Sequence, residues 1–392
     1  MSISRHVFRL MLPALLCGAF PLAAGPFVGA AHAAEIAGVF DAGWTTAYQS
    51  QDSITHMHQR LHALGMDQVV LQYATVEATH LYYPSELDFL QDTQYKNNQL
   101  FPKSIEAAKT AGTKLWFGLY YNGENWYTPP AAEQLDMLTV RNLKVLEEIY
   151  SLYGSETVIE GVYIPQEIAR YYWDGLRDDA TPEMLTEHFL KPITEAAQAK
   201  GWKVMAAPFY NQNLEKPEKL QSFFEKLFAA GFKPDIIAVQ DGIGANDAGK
   251  LHAETATVGN YERAVAQACK KYGIEFWVDM ELFRTDDSHA LADSARISAQ
   301  LDTAYAAGAA KVIGYDLAVL GNTGLDSLEK WKLKSSVEPP DRIYKTPRES
   351  RASNAHSEKS QKRELFLNER LQGNRSLNEN SQYFKANGEK VK

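Results

Sequence analysis

Two glutamates hold positions from which a carboxyl group could work on a substrate. Glu167 follows the apolar run GVYIPQ, and Glu281 follows FWVDM. A charge at the end of such a run is costly unless it is paired or put to use. Side chains alternate along an extended strand, so Tyr163, Pro165 and Glu167 share one face of their run. Trp277, Asp279 and Glu281 share one face of theirs in the same way. If both faces line one cavity, the two carboxyls meet there. Paired carboxyls suit cleavage of a glycosidic bond: one, kept protonated, gives its proton to the leaving oxygen, and the other attacks the anomeric carbon. A separation of about 5–5.5 Å would mean retention of configuration and about 6.5–9.5 Å inversion.

Other polar and aromatic residues end similar runs. Asp41 and Trp44 end the first, Gln72 the second, and Tyr120 the third, with Trp126 just beyond it. Gln166 precedes Glu167 in the fourth. Tyr210 and Asn211 end the fifth, Gln240 and Asp241 the sixth, and Asp316 falls in the eighth. Carboxylates and amides among these, Asp279 included, could hold sugar hydroxyls. The aromatic rings could stack on the apolar faces of a sugar.

Something must bring these ends together. Eight apolar runs occur at 36–44, 68–77, 114–122, 159–168, 203–211, 236–244, 275–283 and 311–320. Helical patterns separate them; Ile54, Met57, Leu61 and Leu64 follow one helical face, and Thr181-Pro182 reads as an N-cap followed by proline at N1. Gly65, Gly112, Gly154, Gly201, Gly231, Gly273 and Gly308 each precede a run, where glycine ends a helix in a left-handed conformation. Seven such junctions between eight near-continuous apolar strands predict a single-domain (β/α)8 TIM barrel, whose site lies at the C-terminal ends of its strands. An open doubly wound sheet is the alternative, but no G-x-G-x-x-G follows the first run to support a dinucleotide site.

The runs GVYIPQEI, AAPFY, DIIAVQDG and FWVDMELF, in that order, resemble the bacterial family known as domain of unknown function 4434. The resemblance spans roughly 36–325 and implies a glycosidase-type barrel. Glutamates ending strands four and seven also resemble the layout of the large retaining-glycosidase clan of TIM barrels. By that likeness Glu167 is the acid/base and Glu281 the nucleophile. The clan usually places Asn before its acid/base residue, where this chain has Gln166.

The flanks differ from the barrel. Residues 1–33 have the form of a signal peptide: Arg5 and Arg9, then an apolar stretch, then Ala31-His32-Ala33, so cleavage falls near Ala33/Ala34. That implies a periplasmic or secreted protein with no stable membrane anchor after cleavage. Residues 34–340 form the barrel. Residues 341–392 hold 12 Lys/Arg against 7 Asp/Glu with no apolar periodicity, a disordered basic tail. The whole chain carries a net charge of −9, so the barrel itself is acidic. An acidic barrel argues against nucleic acid as a partner and favours neutral or cationic substrates over polyanions.

No cofactor or metal is implied. Cys269 is the only cysteine after the signal. His58 and His62 stand four apart, but without an H-E-x-x-H pattern they read as a solvated helical face. No G-x-S-x-G elbow appears. Two functions therefore remain open: a glycoside hydrolase cleaving or remodelling a polysaccharide, or a non-catalytic carbohydrate-binding barrel in exopolysaccharide export or cell-envelope assembly. Oligomeric state is not addressed by the sequence.

Overall fold

In a computed structural model, the eight apolar runs form eight parallel strands that close into a barrel. They are β1 (Ile36–Asp41), β2 (Gln68–Leu71), β3 (Lys114–Gly118), β4 (Ile159–Ile164), β5 (Lys203–Ala206), β6 (Ile236–Gln240), β7 (Glu275–Glu281) and β8 (Lys311–Tyr315). Each pairs with its sequence neighbours, and β1 closes the circle onto β8. The structure describes residues 35–335, apart from 124–128, 176–177, 179, 245–253, 255 and 285–289. The stretch read as a signal peptide, the C-terminal segment from 341 and Trp126 lie outside the described residues.

Helices follow the strands: α1 (Gln51–Ala63), α2 (Leu100–Ala111), α3 (Ala132–Tyr153), α4 (Lys191–Ala199), α5 (Pro217–Ala230), α6 (Val258–Tyr272), α7 (Ser294–Ala307) and α8 (Leu317–Ser335). A turn of helix at Pro182–Leu185 and a π-helical stretch at Thr186–Leu190 lead into α4. The Thr181 hydroxyl accepts the Met184 N–H at 3.1 Å, the cap expected from Thr181-Pro182. Ile54, Met57, Leu61 and Leu64 are all buried, as their spacing predicts.

Six of the seven junction glycines have positive φ, from +73° at Gly273 to +116° at Gly231. Gly154 does not; its φ is −62°. Its glycine has a different cause: a Cβ there would stand 2.6 Å from the Tyr150 carbonyl oxygen, so the site admits no side chain.

Two apolar layers hold the barrel. Outside, strand residues such as Val39, Leu71, Val162 and Val278 pack against the helices. Inside, Phe40, Val70, Trp116, Tyr163, Met205, Ala238, Trp277 and Ile313 fill the bore. The interior is thus a packed core rather than a channel. This inner set fixes the parity of every strand, and so decides which residues can face the mouth.

One elaboration interrupts the repeat. After β2 and β3 the chain builds a small four-stranded sheet, ordered Tyr95–Lys96, His80–Leu81, Thr75–Val76, Tyr120–Tyr121. Thr75 pairs with Tyr120 and Val76 with Tyr121, which turns both segments away from the barrel register.

His58 corrects a reading of the sequence. It is fully buried, with Nδ1 2.7 Å from the Thr113 hydroxyl, and burial lowers its pKa to about 4. His62 is exposed and pairs with Asp67 at 2.7 Å. The two histidines do not share one solvated face.

Candidate active site at the barrel mouth

Parity divides the residues expected at the mouth. With Phe40, Val70, Tyr163, Ala238 and Trp277 inside, alternation turns Gln72, Glu167, Gln240, Asp279 and Glu281 inward. It turns Asp41, Gln166 and Asp241 toward the helices. Contacts agree with this division.

The outward group builds the scaffold. Asp41 Oδ1 accepts the Gly43 N–H at 2.8 Å and the Thr46 hydroxyl at 3.1 Å, fixing the turn after β1. Asp316 Oδ1 accepts the Val319 N–H at 3.0 Å and caps α8. Asn211 Oδ1 accepts the Asn213 N–H at 2.9 Å. Tyr210 lies in the outer core, stacked on Tyr261 with ring centres 4.5 Å apart. Tyr120 is also buried in that core, its hydroxyl bonded to Arg141, which pairs with Glu77. The structure therefore places Tyr120, Tyr210 and Asn211 in packing and turns, not at the mouth.

Glu167 and Glu281 are each clamped through the backbone around them. Gln166 donates its side-chain amide to the Tyr120 carbonyl at 2.8 Å, and the Phe209 N–H donates to the Ile168 carbonyl at 3.0 Å. Glu167 lies between these two ties. At the end of β7, the Glu281 N–H donates to Asp241 Oδ1 at 3.2 Å. The Glu281 carbonyl accepts from Arg296 at 2.8 Å and from Gln300 at 3.2 Å. Gln300 also donates to Asp241 Oδ2 at 2.6 Å, so both Asp241 oxygens serve the protein. Gly244 leaves room for the acid: a Cβ there would stand 2.7 Å from Glu281 Cβ and 3.0 Å from its Oε2.

Electrostatics join the inward acids. Burial raises the Asp279 carboxyl well above the usual carboxylate range, and Glu281, Asp241, Glu167 and Asp316 push it the same way. Asp279 thus feels both glutamates, the acid after β4 and the acid ending β7. An ionised carboxylate in so dry and negative a setting would cost several kcal/mol. Burial and the surrounding acids together favour the neutral form of Asp279. Burial also raises Glu167, which is half-buried, while a hydrogen bond from the Gln240 side chain pulls it back. Gln240 is itself fixed by donating to the Ala207 carbonyl at 2.9 Å. Arg296 brings positive charge near Asp241 and Glu281.

Tyrosines outside the set expected to bind substrate stand near these acids. Tyr73 responds to Tyr315, Tyr121, Glu167 and Tyr163, and Tyr315 responds to Glu167 and Asp279. Tyr73 and Tyr121 stack with ring centres 5.2 Å apart, and Trp44 stands 5.7 Å from Tyr73. Parity marks Tyr163, but only the pairing of Thr75 with Tyr120 redirects Tyr73 and Tyr121. No single run of sequence carries that signal.

Taken together, the fold and site define an eight-stranded (β/α)8 barrel with an acidic, tyrosine-lined mouth. Residues 44–322 match the family described as Domain of unknown function (DUF4434), and the chain belongs to that family. Among solved structures it is similar to a Bacteroides thetaiotaomicron protein assigned as an alpha-L-fucosidase, at 16% identity and TM-score 0.61, covering 81% of this chain and 99% of that one. It is also similar to an endo-1,4-beta-mannanase from Rhizomucor miehei, at 14% identity and TM-score 0.51, covering 76% and 95%. A third is an endo-1,4-beta-D-mannanase from Thermotoga petrophila, at 12% identity and TM-score 0.50, covering 72% and 88%. These likenesses establish the fold. A search of curated proteins finds no match to the chain.

Proposed function

We propose that this chain is an exported glycoside hydrolase that cleaves or remodels a polysaccharide by double displacement with retention. The observation that carries the reading is the convergence of Glu167 and Glu281, from β4 and β7, on the field of one buried acid, Asp279. Glu167, raised by burial, gives its proton to the glycosidic oxygen as the bond to the anomeric carbon breaks. Glu281 forms the new bond to that carbon. Glu167, now ionised, takes a proton from water, whose oxygen displaces Glu281. Gln72, Gln240 and Asp279 would hold sugar hydroxyls, and Tyr73, Tyr121 and Trp44 would face the sugar rings.

The mannanases that share the fold, and the Bacteroides protein assigned as a fucosidase, are named for carbohydrate substrates, which supports the substrate class. Export rests on the form of residues 1–33. The test is a polysaccharide and oligosaccharide screen of the protein beside Glu167→Gln. Product from the unaltered protein, reduced by about 10²-fold or more in the variant, supports the reading. Sugar binding without product from either would point instead to a binding barrel.

A further inference from the structure

Five buried side-chain oxygens near the strand ends have no hydrogen-bond donor among the described residues: Asp41 Oδ2, Gln72 Oε1, Asn122 Oδ1, Gln166 Oε1 and Asp279 Oδ1. Each belongs to a residue 8% exposed or less. All five are acceptors. Two of them, on Gln72 and Asp279, lie on inward positions, and both residues act on Tyr315. A buried acceptor left without a donor is unfavourable, so these two inward oxygens call for a donor.

Among the described residues, little positive charge faces the mouth as well. Among the basic residues near the strand ends, Arg141 is held by Glu77 and Tyr120, Arg170 by Glu215, and Arg296 by the carbonyls of Glu281 and Phe283. Arg284 stands exposed beyond β7. The charges that dominate at Asp279 are acids without exception.

We propose that the mouth selects a sugar bearing a free amino group, so that the substrate is a polysaccharide containing unacetylated hexosamine units. This rests on the glycosidase reading and narrows it. An ammonium supplies three N–H donors, no acceptor and a positive charge. It can satisfy Gln72 Oε1 and Asp279 Oδ1 together and offset the carboxylates. A neutral sugar's hydroxyl donates once and leaves the charge uncompensated. An N-acetyl group donates once and adds a carbonyl acceptor. A uronic acid adds like charge, which is repelled. The inward chemistry thus ranks amino sugar first, neutral sugar next, and acetylated or acidic sugar last.

The experiment uses the full chain carrying Glu167→Gln, so that binding is read without turnover. The probes are glucosamine, mannosamine and galactosamine, their neutral parents glucose, mannose and galactose, and their N-acetyl forms. Each is used as monosaccharide and as β-1,4 oligomer, with affinity read by ligand-observed NMR and calorimetry. We expect at least one amino sugar to bind about tenfold or more tighter than its neutral parent, which is about 1.4 kcal/mol. Asp279→Asn should weaken the amino sugar about tenfold more than it weakens the neutral parent, so that the preference is lost. If that variant fails to fold, Gln72→Leu, which removes the other inward oxygen, should reduce the same preference. Neutral sugars binding as well as or better than amino sugars would overturn the inference and leave the glycosidase reading standing. An amino-sugar preference that survives both variants would also overturn it. Binding of no sugar of any class would overturn both.

Discussion

The Asp241 carboxylate accepts the backbone N–H of Glu281 at 3.2 Å, so an acid at the end of β6 fixes the strand end that presents an acid on β7. Gln300 completes the clamp by donating to Asp241 at 2.6 Å and to the Glu281 carbonyl at 3.2 Å. Asp241 thus acts as a positioning residue. Asp241→Asn turns one acceptor into a donor facing the Gln300 amide. A displacement of about 1 Å at a reacting group can lower turnover by about 10²-fold. We expect kcat to fall by roughly 10- to 100-fold with KM little changed. Steady-state kinetics check this, and Asp241→Asn with Gln300→Glu should recover part of the loss by restoring a donor–acceptor pair. A KM effect alone, or no recovery, would show that the clamp does not position Glu281.

Gln240 sets the pH range of the proposed acid. Its hydrogen bond favours the ionised form of Glu167, against the effect of burial. Gln240→Leu removes that support and leaves burial unopposed, so the Glu167 pKa rises. The catalytic form is protonated, and activity is lost as pH climbs through that pKa. The alkaline limb of the kcat/KM profile should therefore move to higher pH in the variant. A shift to lower pH would contradict the role given to Gln240.

Buried acids away from the mouth shape stability. Burial is the first cause of the raised values at Asp41, about 6, Glu215, about 7, and Glu262, about 8. In the unfolded chain such groups titrate near 4. Between those values the folded chain binds more protons than the unfolded chain, so stability falls as pH rises. Their contribution is fully present below about pH 4 and is lost progressively as pH passes each folded value. Glu262 alone gives a slope of about 1.4 kcal/mol per pH unit across its window. Thermal unfolding should show Tm declining from pH 5 to pH 8, and Glu262→Gln should flatten the decline. A Tm that rises over this range, or an unchanged slope in the variant, would contradict the assignment.

The barrel was legible because two independent patterns agreed: apolar runs long enough for buried strands, and glycines where helices end. Gly154 shows the limit of the second pattern, since contact with Tyr150 rather than a positive φ excludes a side chain there. At the site, alternation identified the faces of Glu167 and Glu281. Without the packed bore to show which face points inward, it could not sort Asp41, Gln166, Asp241 and Asp316, because a polar residue at a strand end serves a turn, a cap or a ligand with the same side chain. Only the partners of Asp241 and the capped N–H of Val319 reveal the structural uses. Tyr120 was expected to hold substrate, and Tyr73 and Tyr121 were not, for one reason. Pairing between Thr75 and Tyr120, forty-five residues apart in number, breaks the period of both runs.

The central claim, that Glu281 is the nucleophile and Glu167 the acid/base, is tested most directly by azide rescue on activated aryl glycosides of the configuration the protein hydrolyses. Glu281→Ala should lose turnover and regain it with azide, giving a glycosyl azide of inverted configuration by NMR. Glu167→Ala should give the retained azide. Full turnover without azide in both variants, or the same stereochemistry from both, would contradict the account.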